Sequence, residues 1–271
     1  MRIAVCVKPV PDPRTAKNVT IDPVTKTITR ENSTSVINPL DRNAIELALY
    51  LKEKEGGEIV VFSMAPPSAT VVLRETLALG ADKAYLLSDR AFGGSDTLAT
   101  ANILSAGLKY ASPDDGWDLI LFGAYSTDGG TSQVPAQVGD LLCLPHFHFL
   151  TELNYSDGKY DISCDNGAGE DKWEASGPIV LSVTRKINKP RYTTIRGVMK
   201  AKSKEIIQLG KDDINPDPEF LGLKGSPTQY GEIYEIKVTR QSQKLSGSKE
   251  EILLKLLDKL TDSGVILRKG G

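Results

Sequence analysis

The chain has 271 residues, of which 40% are hydrophobic and 25% are charged, and its formal net charge is −2. This balance is typical of a globular protein with its own core. It excludes the overall basic field of a nucleic-acid-binding protein, and no apolar run approaches the ~20 residues of a membrane span. The three cysteines, Cys6, Cys143 and Cys164, lack the spacing of metal ligands, and so sparse a set without a secretion signal predicts a cytoplasmic protein.

Apolar runs alternate with helical patterns over the first 145 residues. Continuous apolar runs predict buried strands at residues 3–7, 59–62, 84–87 and 119–122. Apolar residues at helical spacing predict helices at residues 41–54, 67–79 and 96–110. We therefore predict an α/β fold with a doubly wound, mostly parallel sheet of Rossmann-like type.

Further segments are predicted to extend this sheet. Alternating residues around Asp22-Pro23 predict one hairpin, and the Asp157-Gly158 turn predicts a second between residues 146–155 and 159–164. Residues 179–184 are predicted as another strand, and residues 248–260 as a last amphipathic helix. We expect a nucleotide-binding α/β domain over residues 1–184, followed by a segment over residues 185–271 whose extended arm wraps a neighbour.

The loops after parallel strands meet at one edge of the sheet, where ligands bind at a topological switch point. Residues 123–133 form such a loop after the fourth predicted strand, with Thr131 or Ser132 as the expected N-cap of a helix. Gly129 and Gly130 permit close approach of a ligand, and unpaired N–H groups at a helix start favour a phosphate. A plain strand–turn–helix connection is the alternative. The adenine-nucleotide-binding type predicted here lacks both GxGxxG and GxxxxGK[ST].

No catalytic side chains are legible in the sequence. His146 and His148 alternate along a predicted strand, and packing is favoured over a metal site because no further ligand lies nearby. Asp96 and Asp128 fall in the edge loops, where each carboxylate is expected to cap a helix or hold a ribose hydroxyl. A nucleotide edge without an acid, base or nucleophile predicts that a cofactor performs the chemistry.

Residues 185–204 carry eight basic side chains and no acid. By themselves they favour a solvated basic loop, and the alternative is a docking segment for an acidic protein. Nucleic acid is disfavoured, because Tyr192 is the only interleaved aromatic residue.

Five segments together carry a specific resemblance. They read VCVKPVPD at 5–12, INPLDRNAIELAL at 37–49, LGADKAYLLSDRAFGGSDTLATA at 79–101, GAYSTDGGTSQVPAQ at 123–137 and NKPRYTTIRGVMKAK at 188–202. In these segments, and over nearly its whole length, the chain resembles the β subunit of electron-transfer flavoproteins. The resemblance implies a heterodimer with an α subunit that carries an electron-transferring FAD and is wrapped by the C-terminal arm.

The resemblance also implies two sets of site residues. The nucleotide site would be lined by Cys6, Asn38, Pro39, Leu40, Ser63, Met64, Gly123, Ser126, Asp128, Gly129, Gly130, Thr131, Ser132, Gln133 and Val134. The basic segment matches the recognition loop that docks a flavin-dependent dehydrogenase. Its apolar anchor would be Ile195, ringed by Arg191, Arg196 and Lys200. The resemblance thus favours docking over a solvated loop.

Members of this family differ in the ligand of the β subunit. Residues 89–101 look like the electron-bifurcating pattern, in which the site holds a second FAD. Thr97 and Thr100 would offer hydroxyls to its diphosphate, and Arg90 would neutralise the diphosphate or the reduced flavin. This FAD would oxidise NADH and divide the electrons between a dehydrogenase and a low-potential carrier such as ferredoxin.

Two alternatives remain at this point. The first is a simple carrier with AMP as a structural ligand. The second is a free-standing adenine-nucleotide-binding enzyme of related fold.

Overall fold

A computed structural model describes residues 1–12, 14–15, 20–21, 28–29, 34–112, 116–228, 231 and 242–265. The chain divides into two compact units, Met1–Gly231 and Glu232–Gly271. Among the described residues, no helix combines the length and the apolar character needed to cross a bilayer.

The strands lie in the first unit. In chain order they are β1 (Arg2–Cys6), β2 (Pro9–Pro11), β3 (Thr20–Ile21), β4 (Ile28–Thr29), β5 (Ser35–Ile37), β6 (Glu58–Met64), β7 (Lys83–Leu87), β8 (Leu119–Gly123), β9 (His146–Ser156), β10 (Lys159–Asp165), β11 (Glu170–Ser176), β12 (Ile179–Val183) and β13 (Ile206–Leu209).

The helices alternate with these strands. They are α1 (Pro39–Glu55), α2 (Thr70–Leu79), α3 (Thr97–Ala111), α4 (Val134–Leu141), α5 (Ile195–Ser203), α6 (Lys211–Ile214) and, in the second unit, α7 (Lys249–Asp262). Short 3-10 helices add Pro67–Ala69, Arg90–Phe92 and Pro218–Phe220.

Nine strands form one sheet in the order β11-β10-β9-β12-β8-β1-β6-β7-β13. In this spatial order, the seven strands β9, β12, β8, β1, β6, β7 and β13 are parallel to one another. Strands β10 and β11 extend the sheet beyond β9 in antiparallel pairing. Helices α1, α2 and α5 cover one face, and α3, α4 and α6 cover the other. The predicted doubly wound, mostly parallel α/β fold is confirmed.

The alternation of side chains along the strands feeds two cores. In β1, Ile3 and Val5 join the core beneath α1, while Ala4 and Cys6 join the core beneath α3. All five residues of β8 are buried, as expected for a central parallel strand covered on both faces.

Both predicted hairpins are present. Strands β3 and β4 pair in antiparallel register, whereas the predicted turn at Asp22-Pro23 lies outside the described residues. Strands β9 and β10 meet at Asp157 and Gly158, both with positive φ. The predicted last helix is α7, which begins with a capping box between Ser248 and Glu251.

Three elements differ from the sequence-based expectation. Strand β11 reads EDKWEAS and is almost entirely exposed, so its pairing with β10 left no apolar pattern to find. The basic segment is not an open loop, because Thr194 caps α5 by accepting a hydrogen bond from Gly197 N at 3.0 Å. Strand β13 then pairs with β7, so the sheet draws on residues beyond the predicted boundary at residue 184. The wrapping role of residues 185–271 stays a prediction.

Candidate functional site

The topological switch point of the sheet lies between β1 and β8. From β1 the chain proceeds to β6 and β7 on one side, and it then returns to β8 on the other side. A cleft of about 520 Å³ opens at the carboxyl ends of these strands, which is a volume typical of small-molecule sites. Its described lining comprises Cys6, Val7, Lys8, Asp41, Met64, Gly94, Ser95, Asp96, Thr97, Thr100, Leu104, Phe122, Gly123, Ala124, Tyr125, Ser126, Gly129, Thr131, Ser132, Gln133, Val134, Pro135, Leu223 and Thr228.

The floor of the cleft is apolar. Cys6 of β1, Phe122 of β8 and Leu104 of α3 are each about nine-tenths or more buried there. Burial, with a smaller contribution from the nearby Asp41 carboxyl, raises the pKa of the Cys6 thiol well above its usual value. The buried thiol thus packs as an apolar group in the floor of the cleft.

The rim of the cleft is polar. The Thr97 hydroxyl, at the start of α3, donates to Gln133 Oε1 at 3.0 Å and accepts from Gln137 Nε2 at 3.3 Å. Gln137 Oε1 is buried with no hydrogen-bond partner within the described part of the chain. Gln133 is the N-cap of α4, and its side chain makes no cap hydrogen bond to the first turn, in which Pro135 has no N–H to donate.

The expected N-cap at Thr131 or Ser132 is wrong. Helix α4 begins at Val134, so its N-cap is Gln133. Ser132 has a φ of 58°, a left-handed conformation that places it in the loop before the helix. Thr131 and Ser132 consequently line the cleft as loop residues.

A buried polar cluster holds the two strand ends that flank the cleft. The Asp41 carboxylate accepts hydrogen bonds from Lys8 N at 2.7 Å, Gly123 N at 3.2 Å and Asn38 Nδ2 at 2.9 Å. Asn38 also forms hydrogen bonds with the loop after β8. Its Nδ2 donates to Tyr125 O at 2.9 Å, and its Oδ1 accepts from Thr127 N at 3.2 Å. Asp41 therefore links β1, β8 and the N-terminus of α1.

Gly123 is required by this arrangement. A Cβ atom there would overlap Asp41 Oδ1 and would lie 2.8 Å from Asp41 N and from Leu40 C. The glycine thus lets α1 pack directly against the end of β8.

Lys8 is the one cationic side chain among the described residues that line the cleft. Its ammonium group pairs with Asp128 Oδ1 at 2.8 Å and contacts Ser126 Oγ at 3.3 Å. A Cβ atom on Gly129 would lie 3.3 Å from Ser126 Oγ and 3.7 Å from Lys8 Nζ. A small residue at position 129 therefore keeps the space beside the ammonium group open.

The structure brings most of the predicted nucleotide-site residues to one place. Those that line the cleft are Cys6, Met64, Thr97, Thr100, Gly123, Ser126, Gly129, Thr131, Ser132, Gln133 and Val134. Those that do not are Asn38, Pro39, Leu40, Ser63, Arg90, Asp128 and Gly130. Asn38 and Asp128 instead support the lining residues through the hydrogen bonds given above, and the binding role of the whole set stays a prediction.

Ser63 and Arg90 are two of the predicted residues that lie outside the described lining. The Ser63 hydroxyl is fully buried with no hydrogen-bond partner in the part of the chain that is described. Arg90 is exposed at the start of a 3-10 helix.

Sequence reasoning placed Lys8 in a loop at this edge, but it missed Asp41, Leu223 and Thr228. An acid in the first turn of a helix that follows Asn-Pro was a usable signal for Asp41, whereas nothing local marks Leu223 or Thr228.

Replacing Asp41 with asparagine is expected to flatten the pH dependence of stability between about pH 4 and 7. Burial raises the pKa of the Asp41 carboxyl from 3.8 to about 7, although hydrogen bonds from Asn38, Lys8 and Gly123 act to lower it. Folding therefore takes up a proton in this window, and the stability so gained at low pH is lost as the pH rises through 7. In urea unfolding, the difference in the free energy of unfolding between the wild type and Asp41→Asn should fall by up to about 4 kcal/mol from about pH 4 to pH 7.

The exposed Asp161 of β10 supplies a matched control, since Asp161→Asn removes a carboxyl outside the buried cluster. Parallel pH profiles for wild type and Asp41→Asn would contradict the assignment.

The two histidines form a close pair on β9. His146 Nδ1 lies 2.9 Å from His148 Nε2, and His148 Nδ1 lies 3.2 Å from Ser182 Oγ. Burial, with the neighbouring His146, lowers the pKa of His148 to about 4. Within the described residues, no group of three or more His, Cys, Asp or Glu side chains is placed to hold a metal ion.

Helix α5, together with Tyr192 just before it, carries an exposed apolar face among basic residues. Tyr192, Ile195 and Met199 are 91%, 84% and 66% exposed, and Arg196 and Lys200 are exposed beside them. We call these five residues the docking face. An apolar patch rimmed by charge is typical of a protein interaction site.

Arg191, which is predicted to belong to the docking ring, forms ion pairs with helix α1. Its guanidinium donates to Glu46 Oε1 at 2.9 Å and also pairs with Glu53, both on α1. Hydrogen bonds from Arg191 to Glu53 and Glu46 raise the pKa of the guanidinium. Arg191 thus anchors the segment to α1.

Helix α5 is itself fixed on α2. A Cβ atom on Gly197 would overlap the carbonyl oxygen of Ala78, so the two helices approach closely at that point. Arg74 of α2 donates to Ala201 O at 2.6 Å. The docking face is therefore presented on a packed helix.

Comparison with known proteins gives consistent matches. The family model described as the electron transfer flavoprotein domain matches residues 25–214. Over 267 residues the chain is 39% identical to the electron transfer flavoprotein subunit beta of Thermoanaerobacterium thermosaccharolyticum, covering 98% of this chain and 100% of that protein. It is 39% identical over 268 residues to the caffeyl-CoA reductase-Etf complex subunit CarD of Acetobacterium woodii, with the same coverage. It is 35% identical over 271 residues to the acryloyl-CoA reductase electron transfer subunit gamma of Anaerotignum propionicum, covering 98% and 100%.

Proposed function

The chain belongs to the electron transfer flavoprotein family as a subunit beta, and on that premise we propose that its cleft binds FAD and that the protein bifurcates electrons from NADH. One branch leads through the flavin of an α subunit to a dehydrogenase, and the other leads to a low-potential carrier such as ferredoxin. The observation that carries this proposal is the cleft at the switch point, with its apolar floor and its hydroxyl-rich rim.

The residues of the cleft fit a dinucleotide. Helices α3 and α4 both begin at its rim, and the first turn of α4 lacks a side-chain cap, which suits an anionic phosphate group. Thr97, Thr100 and Thr131 add hydroxyls along the same rim. AMP has one phosphate, whereas the hydroxyls of this rim are spread over α3 and the loop before α4, and that spread supports FAD.

The bound flavin would supply the redox chemistry, exchanging electrons in pairs with a nicotinamide and singly with other carriers. The chain's own contribution is binding and electrostatics. Lys8, whose charge is paired with Asp128, would lie beside the bound group, and the buried Phe122 would form part of the apolar floor beneath it. No side chain of the chain is required as a proton donor or acceptor.

The docking face supports the proposal that a dehydrogenase binds the chain. Arg196 and Lys200 would steer an acidic surface toward the chain, and Ile195 would be buried in the contact. Two of the similar proteins carry the names of a caffeyl-CoA reductase and an acryloyl-CoA reductase, which favours a partner of the flavin-dependent acyl-CoA class. We further propose a heterodimer with an α subunit, held in part by the C-terminal arm, in the cytoplasm.

Nucleotide released from the purified αβ complex is expected to be FAD alone, at two molecules per heterodimer. Denaturation followed by chromatography and mass spectrometry gives the count, and NADH should bleach the flavin absorbance of the intact complex. One FAD and one AMP per heterodimer, with no response to NADH, would overturn the FAD assignment in favour of a simple carrier.

A variant sharpens the location of the second flavin. Gly129→Leu puts a bulky side chain beside Ser126 Oγ and Lys8 Nζ, so it should reduce the count to one FAD per heterodimer. Gly169→Leu is the matched control, because a Cβ atom there meets only Asn166 Oδ1, at 4.0 Å, in the turn between β10 and β11.

A further inference from the structure

Residues 217–228, here called the cleft strap, contribute Leu223 and Thr228 to the lining of the cleft. We propose that the cleft strap is a wall of the nucleotide site, in which Leu223 and Thr228 contact the bound nucleotide and the hydrogen bonds between Thr228 and Asp96 retain it. This inference rests on the proposed nucleotide-binding function.

Asn102 of α3 holds the first part of the strap. Its Nδ2 donates to Asp217 O at 2.9 Å and to Phe220 O at 2.8 Å, while its Oδ1 accepts from Asp217 N at 3.2 Å. The side chain is buried, so these hydrogen bonds are shielded from water. The strap is therefore fixed to the helix whose N-terminus lies at the rim.

Leu223 is held against the turn that precedes α3. Its backbone N donates to Gly93 O at 3.0 Å. Gly94 has a φ of 75°, and a Cβ atom there would lie 2.9 Å from Leu223 Cβ. Gly222 also has positive φ, and a Cβ atom there would overlap Ala91 O. Glycines at positions 94 and 222 thus let the strap pack directly on residues 91–94.

Asp96 holds the last part of the strap. Its Oδ2 accepts from Thr228 N at 2.9 Å and from Thr228 Oγ1 at 2.6 Å, while Oδ1 accepts from Ala99 N at 3.0 Å and caps α3. Asp96 N donates to Ser226 Oγ at 2.8 Å. Burial acts to raise the pKa of the Asp96 carboxyl, but hydrogen bonds from Thr228 and the backbone hold it below its usual value.

These contacts assign the Asp96 carboxylate to the helix cap and the strap. The helix-cap role expected from sequence is present, and the strap takes up the second oxygen. Thr228 is the polar side chain of the strap in the cleft lining, and because its hydroxyl donates to Asp96 it can only accept a hydrogen bond from a nucleotide.

Leu223 indicates what the strap contacts. It is 58% exposed although it lines the cleft, and an apolar side chain left open at a binding cleft gains by covering a planar ring. The polar loop before α4 provides Ser126 and Thr131 to the same cleft. The cleft thus combines an apolar wall with hydroxyl groups, a chemistry that suits the ring and the phosphate chain of a nucleotide.

The test is the rate at which the purified αβ complex releases its bound nucleotide. The complex is held in buffer without added nucleotide, samples are desalted at intervals, and retained FAD and AMP are quantified by chromatography. Thr228→Val removes one hydrogen bond to Asp96 and should speed release about fivefold. Leu223→Ala removes the apolar contact and should speed release about tenfold.

Two further variants separate retention from folding. Thr228→Ser keeps the hydroxyl and should release nucleotide at the wild-type rate. Lys224→Ala alters an exposed strap residue outside the cleft lining and should also match the wild type. All four variants are expected to keep the wild-type unfolding temperature to within a few degrees.

The outcomes distinguish this inference from the proposed function. If both Thr228→Val and Leu223→Ala release FAD at the wild-type rate, the role of the cleft strap is overturned, whereas the proposed FAD-binding function stands. Faster release of AMP rather than FAD would support the strap and contradict the FAD assignment. A wild-type complex without any nucleotide in the β subunit would overturn both.

Discussion

Replacing Asp41 with alanine is expected to lower the free energy of unfolding by about 3 kcal/mol or more. The change leaves Lys8 N, Gly123 N and Asn38 Nδ2 without the acceptor that all three share in the folded chain. A buried donor without a partner costs ~1–3 kcal/mol, and relief of the buried carboxylate offsets only part of this sum. Urea unfolding followed by far-UV circular dichroism measures the difference.

Glu75→Ala is the control for this variant. Glu75 pairs with Arg42 between α2 and α1, but both side chains are partly exposed, so its loss should cost only ~0–1 kcal/mol. Asp41→Ala should also abolish nucleotide retention, because the loops after β1 and β8 lose their shared tether. Unfolding of Asp41→Ala within 1 kcal/mol of the wild type, measured at pH 7, would show that the cluster does not hold the cleft together.

Replacing Ile195 with aspartate is expected to reduce kcat/KM for electron transfer with the partner dehydrogenase by about thirtyfold or more. A buried anchor at the centre of a protein interface contributes about 2 kcal/mol or more, and an acid in its place also opposes the steering by Arg196 and Lys200. Because Ile195 is 84% exposed in the free chain, the stability of the fold should change by less than about 0.5 kcal/mol. Steady-state transfer rates measured over a range of dehydrogenase concentrations should show the loss as a raised KM.

Tyr110→Asp provides the comparison. Tyr110 is 49% exposed on α3, which packs on the opposite face of the sheet from α5, so its substitution should leave KM for the dehydrogenase unchanged. Equal effects of the two variants would contradict docking at α5. A loss confined to Ile195→Asp, with an unchanged unfolding curve, identifies the docking face as the contact surface.

Hydrophobic periodicity was sufficient for the central elements. Strand β8 and helix α1 lie within one or two residues of their predicted bounds, since both bury a regular pattern of apolar side chains. It failed for β11, whose side chains are mostly exposed and charged, and for α5, whose side chains are mostly exposed. Their positions depend on hydrogen bonding to β10 and on packing against α2, which no local pattern of residues records.

The candidate site divides in the same way. The loop from Gly123 to Gln133 was predictable, because glycines and hydroxyls after a buried strand mark a ligand-binding turn at the sheet edge. The ion pair of Arg191 with Glu46 was not predictable, because the basic segment has the same pattern of charges whether Arg191 faces a partner or Glu46.

The sequence by itself determined the alternation of strands and helices, the edge of the sheet at which the cleft opens, and the family resemblance. Only the tertiary structure decided which distant groups meet there. Thr228 and Asp96 are 132 residues apart in the chain, and the Asp41 carboxylate accepts a hydrogen bond from Gly123 N, 82 residues away. Hydrogen bonds of this kind depend on the packing of whole helices and strands, so Thr228 carries no signal in its own neighbourhood.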